Sequence, residues 1–207
     1  MPAKPARPKA KPARPEAKAR NGTYRGLDLD AARSRTVPDV LPPPGAPFAV
    51  LFCGINPGLY SAATGHHFAR PGNRFWPALH GAGFTPRQLD PSQQDLLPGY
   101  GLGITNLVAR ATAQASELTR AELQAGGERL AELAAERRPT YVAVAGVTAY
   151  RDAFSHKKAQ VGPQIETIGP SKLWIVPNPS GLNAHWPLAA IISEFRRLNK
   201  AAAVGIP

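Results

Sequence analysis

The chain has 207 residues, enough for one domain with a buried core and a tail. Its 25 Lys and Arg against 14 Asp and Glu give a formal net charge of +11, which favours a polyanionic partner, nucleic acid first. The single cysteine, Cys53, excludes an intramolecular disulfide framework and a cysteine-ligated zinc or iron–sulfur site. No apolar run approaches the ~18 residues of a membrane span, and none follows the basic N-terminus as a secretory signal requires. We therefore expect an intracellular protein of the cytoplasm, nucleoid-associated if bacterial, and no membrane partner.

The positive charge is concentrated at the N-terminus. Residues 1–35 carry ten basic and three acidic side chains, whereas residues 36–207 carry fifteen and eleven. Prolines recur every three or four positions at the start of the chain, which prevents an amphipathic helix and disfavours a mitochondrial transit peptide. We predict a disordered basic arm over 1–35 and a single domain over 36–207. The arm either makes salt-sensitive phosphate contacts or only aids solubility.

Strand and helix patterns alternate from residue 47 onward. Continuous apolar runs predict buried strands over 48–52, 102–108, 141–145 and 173–176. Helix patterns cover 73–83, 119–138, 148–154 and the stretch from Pro187 to about residue 200, and the second of these opens on a Thr119–Glu122 capping box. The pair Gly126–Gly127 is expected to weaken that helix by ~1 kcal/mol per glycine. The alternation predicts an α/β fold with a largely parallel sheet and helices on both faces.

Three polar loops follow predicted strands, at the sheet edge where ligands of such folds bind. They are C-G-I-N-P-G at 53–58, T-N-L-V-A-R-A-T at 105–112 and P-N-P-S-G-L-N at 177–183. The first loop carries neither a dinucleotide-binding nor a P-loop signature. Together with His66-His67-Phe68, these loops suit a pocket for a planar heterocycle, which an aromatic ring stacks on and amides recognise. Phe75 and Trp76 lie on a predicted helix and are assigned to the core.

The motifs Gly54-Ile-Asn-Pro-Gly58 and Asn178-Pro-Ser-Gly-Leu182 occur in order, with G-H-H-F, P-G-N-R-F-W and L-P-G-Y-G-L-G-I-T-N between them. From about residue 48 to 199 the chain thereby resembles the mismatch-specific uracil-DNA and thymine-DNA glycosylase family. The resemblance implies an α/β/α sandwich around a short, mostly parallel sheet. It also implies a DNA repair enzyme that flips uracil, preferentially mispaired with guanine, out of double-stranded DNA and hydrolyses its N-glycosidic bond. No metal or organic cofactor is implied, and we expect a monomer. We also expect a monofunctional enzyme, because no plausible Schiff-base lysine accompanies the motifs.

The resemblance also assigns site residues. Asn56 matches the catalytic asparagine; because a carboxamide is a poor base, it would hold a water by its carbonyl oxygen. Thr112 matches a threonine that helps to position water in part of the family. The implied base pocket comprises Gly54, Ile55, Gly58, His67, Phe68 and Asn106, with Phe68 stacking on the base and Asn106 at its edge. His67 is either part of this pocket or a solvated loop histidine. Backbone N–H groups of 54–58 and 67–68 are expected to stabilise charge on the departing uracil.

The second motif is expected to act on the DNA. Leu182 matches the wedge that fills the vacated stack, and Ser180, Gly181 and Asn183 would face the opposite strand. Many relatives read G-L-S-R here, whereas this chain has Asn183-Ala184 in place of Ser-Arg. The missing arginine predicts a weaker preference for guanine opposite uracil, excision opposite adenine and from single-stranded DNA, and a broad range of damaged pyrimidines. His185 and Trp186 either contact phosphate or pack on the last helix.

The role of Asp95 stays open at this point, and so do two other classes of function. Asp95 is either a solvated loop acid or the base that Asn56 cannot be. A non-catalytic nucleic-acid-binding protein would explain the charge but not the asparagine-bearing loops. A small-nucleoside hydrolase would explain a base pocket but needs neither a wedge nor the charge. An assay for excision of uracil from duplex DNA distinguishes a DNA glycosylase from these two alternatives.

Overall fold

The computed structural model describes residues 26–202, which are built around one five-stranded sheet in the order β2–β1–β3–β5–β4. β2, β1, β3 and β5 run parallel to one another, and β4 runs antiparallel to β5 at the edge. The strands are β1 Val50–Gly54, β2 Leu102–Asn106, β3 Tyr141–Ala145, β4 Gly162–Ile168 and β5 Ser171–Val176. The helices are α1 Leu59–Thr64, α2 Phe75–Gly81, α3 Arg120–Arg137, α4 Val147–Phe154 and α5 Leu188–Ala202. None of the described helices has the length and hydropathy to cross a bilayer.

Side chains of β1 alternate between two apolar layers. Val50 and Phe52 pack with residues of α2 and α5 on one face, whereas Leu51 and Cys53 pack with residues of α3 and α4 on the other. Both faces of the strand are therefore buried, which is why its sequence is a continuous apolar run. This arrangement confirms the predicted three-layer α/β/α sandwich with a mostly parallel sheet.

The predicted strands and helices are present, with ends displaced by at most two residues. The sequence analysis missed α1 and β4. β4 lies at the sheet edge, and its exposed Pro163, Glu166 and Thr167 break the apolar pattern expected of a buried strand. It also missed the 3-10 helix Pro91–Tyr100, which precedes β2.

Helix α3 begins at the predicted capping box, in which Thr119 Oγ1 accepts from Glu122 N at 3.2 Å and Thr119 N donates to Glu122 Oε2 at 2.8 Å. The structure shows a packing reason for the pair Gly126–Gly127 in this helix. A Cβ on Gly126 would lie 2.3 Å from the carbonyl oxygen of Leu107, and one on Gly127 would lie 3.2 Å from that of Ala153. The two glycines therefore let α3 lie against the segment after β2 and against α4.

The predicted arm over 1–35 needs a correction at its C-terminal end. Residues 1–25 lie outside the described part, but Ala31–Ser34 forms a 3-10 helix. Ala32 is buried in a small cluster with Ala62 and Ala111, because a methyl group fits between α1 and the segment after β2. Arg33 also pairs with Glu117 at 3.1 Å. The folded domain thus begins before residue 36.

Candidate active site

A cleft of about 610 Å³ opens where the parallel strands end, as the sheet topology predicts. The register brings Gly54 beside Asn106 and Ala145 beside Val176, so the loops after β1, β2 and β5 meet there. The cleft is lined by every predicted base-pocket residue and by most of the other predicted site residues: Gly54, Ile55, Asn56, Gly58, His67, Phe68, Asn106, Thr112, Ser180 and Leu182.

The loop that carries Asn56 is fixed by main-chain pairing that continues beyond β1 and β2. Residues 54–59 and 107–112 exchange backbone hydrogen bonds of 2.9–3.2 Å: Leu107 N to Gly54 O, Val108 N to Ile55 O, Thr112 N to Pro57 O and Leu59 N to Thr112 O. A loop with four backbone hydrogen bonds to a neighbouring segment fixes the positions of its side chains about as firmly as a strand does. Asn56 therefore sits on a rigid support.

The side chain of Asn56 is oriented by its amide nitrogen. Nδ2 donates to the Arg110 carbonyl oxygen and to Thr112 Oγ1, both at 2.8 Å. Because a backbone carbonyl only accepts, this contact fixes which end of the carboxamide is nitrogen. Within the described residues nothing donates to Asn56 Oδ1, which leaves this oxygen to bind a water in the cleft. Thr112 is 1% exposed, and its hydroxyl oxygen accepts from the side chain of Asn56.

Phe68 forms an aromatic wall of the cleft. Its ring stacks on Phe75 with centroids 4.1 Å apart and planes 16° apart, and Phe75 is buried in the core as predicted. One face of Phe68 is therefore covered, and Phe68 also lines the cleft. The backbone of Phe68 has φ +52°, a left-handed conformation uncommon outside glycine.

Gly54 leaves the space in front of this ring open. A Cβ on Gly54 would lie 2.4 Å from Asn106 Oδ1 and 3.3 Å from Phe68 Cζ. Any side chain at this position would thus enter the volume between the aromatic wall and the amide. The glycine at the end of β1 is a steric requirement of the cleft.

His67 is a buried, neutral residue and not a solvated loop histidine. It is 2% exposed, and burial lowers the pKa of its imidazole. Nε2 lies 2.9 Å from the carbonyl oxygen of Pro38 and must carry the proton, so Nδ1 accepts from Asn106 Nδ2 at 3.3 Å. This bond turns Asn106 Oδ1 toward Gly54. His67 therefore orients Asn106.

Several supporting groups were not evident in the sequence. Gln94 Oε1 accepts the His67 N–H at 2.8 Å, so this N–H is not available as the predicted donor to uracil. The Phe68 N–H, by contrast, has no acceptor among the described residues. Arg129 of α3 donates to the Asn106 carbonyl oxygen and to Thr105 Oγ1 at 3.2 Å. Pro38 lies in the segment before β1, Gln94 in the 3-10 helix before β2 and Arg129 in α3, and no local pattern marks them.

Leu182 projects from the rim of the cleft. It is 72% exposed and lies on the segment 178–186, which we call the wedge loop. Ser180 N donates to Asn178 Oδ1 at 3.0 Å, and Leu182 N donates to Ser180 Oγ at 3.3 Å. Gly181 is packed on a neighbouring segment, since a Cβ there would lie 2.6 Å from the Gly72 carbonyl oxygen. The loop is thus a compact turn with an apolar tip.

The expectation that Asn183 faces the opposite strand is not supported. Its Nδ2 donates to the Asn178 carbonyl oxygen at 3.0 Å, and its Oδ1 accepts from His185 N at 3.2 Å. Both ends of the carboxamide are therefore used within the wedge loop. Of the two residues left open, Trp186 packs against the core, whereas His185 is exposed.

The hypothesis that Asp95 is a catalytic base is also not supported. Asp95 is exposed on the 3-10 helix before β2 and does not line the cleft, because its buried neighbour Gln94 is the residue that faces His67. Among the described residues that line the cleft there is no carboxylate and no lysine. No three His, Cys, Asp or Glu side chains within residues 26–202 converge as metal ligands.

Fold and cleft together define an α/β/α protein whose strand-end pocket offers a stacking ring, amide groups and no acidic side chain. The sequence model of the Uracil DNA glycosylase superfamily matches residues 41–202, and the chain belongs to this superfamily. Membership implies a DNA glycosylase, which hydrolyses N-glycosyl bonds. Among solved structures, the chain is similar to a Methanosarcina acetivorans protein studied by solution NMR and provisionally assigned as a uracil DNA glycosylase. The identity is 18%, the match covers 80% of this chain and 98% of that chain, and the TM-score of 0.53 shows a shared fold.

Proposed function

We propose that this chain is a monofunctional DNA glycosylase that flips uracil, preferentially mispaired with guanine, out of DNA and hydrolyses its N-glycosidic bond. The observation that carries the proposal is the fixed carboxamide of Asn56, whose nitrogen is bonded to Arg110 O and Thr112 and whose oxygen is left open beside the aromatic wall of Phe68. This arrangement suits a water held against the sugar of a stacked base.

The reaction follows from what the cleft offers and lacks. Because no carboxylate lines it, the water is not strongly activated, and the rate depends on departure of the base. The C1′–N1 bond breaks first, and its electron pair leaves with uracil as an anion. The sugar becomes oxocarbenium-like, and the water on Asn56 Oδ1 adds to C1′ and releases its proton to solvent. The Phe68 N–H is a donor for the charge on the departing base.

Asn106 supports recognition of uracil over cytosine. His67 Nδ1 holds one N–H of its amide, so Oδ1 lies on the Gly54 side, where a base stacked on Phe68 would sit. An oxygen at this place accepts from the N3–H of uracil. Cytosine presents an unprotonated N3 there, and two acceptors repel each other.

The wedge loop supports action on DNA with modest selection of the opposite base. Exposed Leu182 can fill the space that a flipped nucleotide vacates. Asn183 is used within the loop and Ala184 has no side-chain donor, so preference for guanine would come from how easily a mispaired uracil leaves the stack. We therefore propose excision opposite adenine, from single strands and of other damaged pyrimidines as well.

The test is single-turnover excision from a labelled duplex with one U·G mispair. We expect strand cleavage only after alkali and no adduct after borohydride. The Asn56→Ala variant, purified in parallel, controls for a contaminating glycosylase. DNA binding without excision would instead indicate a non-catalytic nucleic-acid-binding protein, and cleavage of free deoxyuridine alone would indicate a nucleoside hydrolase. A trapped adduct would overturn the monofunctional assignment.

A further inference from the structure

One arginine ties the wedge loop to the rest of the molecule. The Arg74 guanidinium donates to three carbonyl oxygens of the loop, those of Ser180, Asn183 and Trp186. Its backbone N–H also donates to the Pro179 carbonyl oxygen at 2.9 Å. Carbonyls at both ends and in the middle of the loop thus converge on a single side chain.

The geometry of this contact suits an arginine better than a lysine. A guanidinium presents several N–H donors in one plane, whereas an ammonium offers three donors at a single point. Among the described residues, Arg74 forms no salt bridge, so carbonyl dipoles alone solvate its charge. Its contacts therefore fix the backbone of the wedge loop.

The position of Arg74 links this loop to the base pocket. The next residue, Phe75, starts α2 and carries the ring on which Phe68 stacks. Two residues before Arg74, the Gly72 carbonyl oxygen contacts Gly181. The segment 72–75 thus supports both the aromatic wall and the wedge loop, and it fixes their relative position.

We infer that Arg74 is a positioning residue that presets Leu182 for insertion into the DNA stack, an inference that rests on the proposed function. Leu182 is apolar and 72% exposed, so an untethered loop would gain by folding this side chain against the protein. Arg74 prevents this by holding the carbonyls on both sides of Leu182.

The experiment compares two substrates in full-length protein: uracil opposite guanine in a duplex, and uracil in an unpaired bubble, where the base is already unstacked. Arg74→Met removes the donors and keeps the side-chain length. We expect single-turnover excision to fall about 30-fold on the duplex and less than about 3-fold on the bubble. Arg196→Met is the matched control, since Arg196 donates to the Gly81 carbonyl oxygen on the α2–α5 side, and it should change neither rate.

Three further variants separate positioning from folding. Leu182→Ala should show the same duplex-selective loss, and adding Arg74→Met to it should cause little further change, because both act through one wedge. Arg74→Lys should recover part of the duplex rate. Equal losses on both substrates, or additive losses in the double variant, would overturn the inference. Wild-type protein inactive on both substrates would overturn the proposed function itself, and with it this inference.

Discussion

The cleft and the wedge loop are built in different ways. In the cleft, each of the two asparagines is held by more than one contact: Asn56 by Arg110 O and Thr112, and Asn106 by His67 at its side chain and by Arg129 at its backbone carbonyl. The wedge loop is exposed at its tip and relies on Arg74. Groups that orient a water or a base edge need tight positioning, whereas a tip that enters DNA must stay outside the core. The comparison predicts severe effects for changes in the cleft and substrate-dependent effects for changes in the loop.

The largest effect is expected at Asn56. Asn56→Ala removes the oxygen that holds water in the proposed mechanism but leaves Thr112 and the cleft walls in place, so the single-turnover rate should fall at least ~10²-fold. Binding to abasic product DNA, measured by fluorescence anisotropy, should change little. Asn199→Ala, which removes an amide bonded to Ala82 O far from the cleft, is the control. A near-normal rate in Asn56→Ala would remove Asn56 from the mechanism.

The next effect tests the open space in front of Phe68. In Gly54→Ala the new methyl group would lie 2.4 Å from Asn106 Oδ1, so the base is excluded or the amide is displaced. We expect kcat/KM to fall roughly 10–100-fold, in line with overpacking of about 1–3 kcal/mol. Gly99→Ala is a matched control, because nothing lies within 4 Å of its added Cβ. Normal activity in Gly54→Ala would mean that the base does not stack at this wall.

The basic N-terminus belongs to neither the cleft nor the wedge loop. Its removal tests whether part of the affinity for DNA is independent of these two regions. Residues 1–25 contain eight Lys and Arg and one Glu, so their removal takes away +7 and keeps the 3-10 helix Ala31–Ser34. We expect about 10-fold weaker DNA binding at low salt and a shallower salt slope, with an unchanged single-turnover rate. Titrations at several salt concentrations measure this. Equal slopes in the two proteins would show that the arm does not neutralise phosphates.

One substitution in the wedge loop should increase its selectivity for the base opposite uracil. Ala184 is exposed, so Ala184→Arg adds a cationic donor at the loop surface without disturbing its inner bonds. The ratio of excision rates for U·G over U·A should rise about 5-fold, which corresponds to about 1 kcal/mol. Ala184→Met controls for side-chain size. An unchanged ratio would contradict the proposed weak preference for guanine opposite uracil. So would wild-type protein that excises uracil only from U·G duplexes.

The smallest effect concerns pH. Burial lowers the pKa of His67 from 6.5, although Asp39 and the Pro38 carbonyl oppose this and His66 adds to it. The unfolded chain then binds the proton more readily, so His67 contributes stability above about pH 6.5 that is lost as the pH falls below it. The free energy of unfolding of the wild type should fall more between pH 7.5 and 5.5 than that of His67→Gln. His185→Gln should behave as the wild type.

The sequence by itself determined the layers and the place of the site. Apolar runs identified the four parallel strands because strands buried on both faces have little choice of side chain, and the rule for parallel sheets then placed three polar loops together. The motif residues Asn56, Phe68, Asn106 and Leu182 all line the resulting cleft. Local pattern was sufficient for the strands and the loops, and the resemblance to a known family pointed to the motif residues within them.

The tertiary structure alone decided which groups orient these residues. Pro38 fixes the protonated nitrogen of His67, and Arg74 gathers the carbonyls of a loop more than a hundred residues away. The structure also decides between the two alternatives for Asp95, which is an exposed acid, and it bonds the side chain of Asn183 within its own loop. Contacts of this kind join distant segments through single side chains and carbonyl groups. They leave no periodicity in the sequence, because any residue can supply a backbone carbonyl.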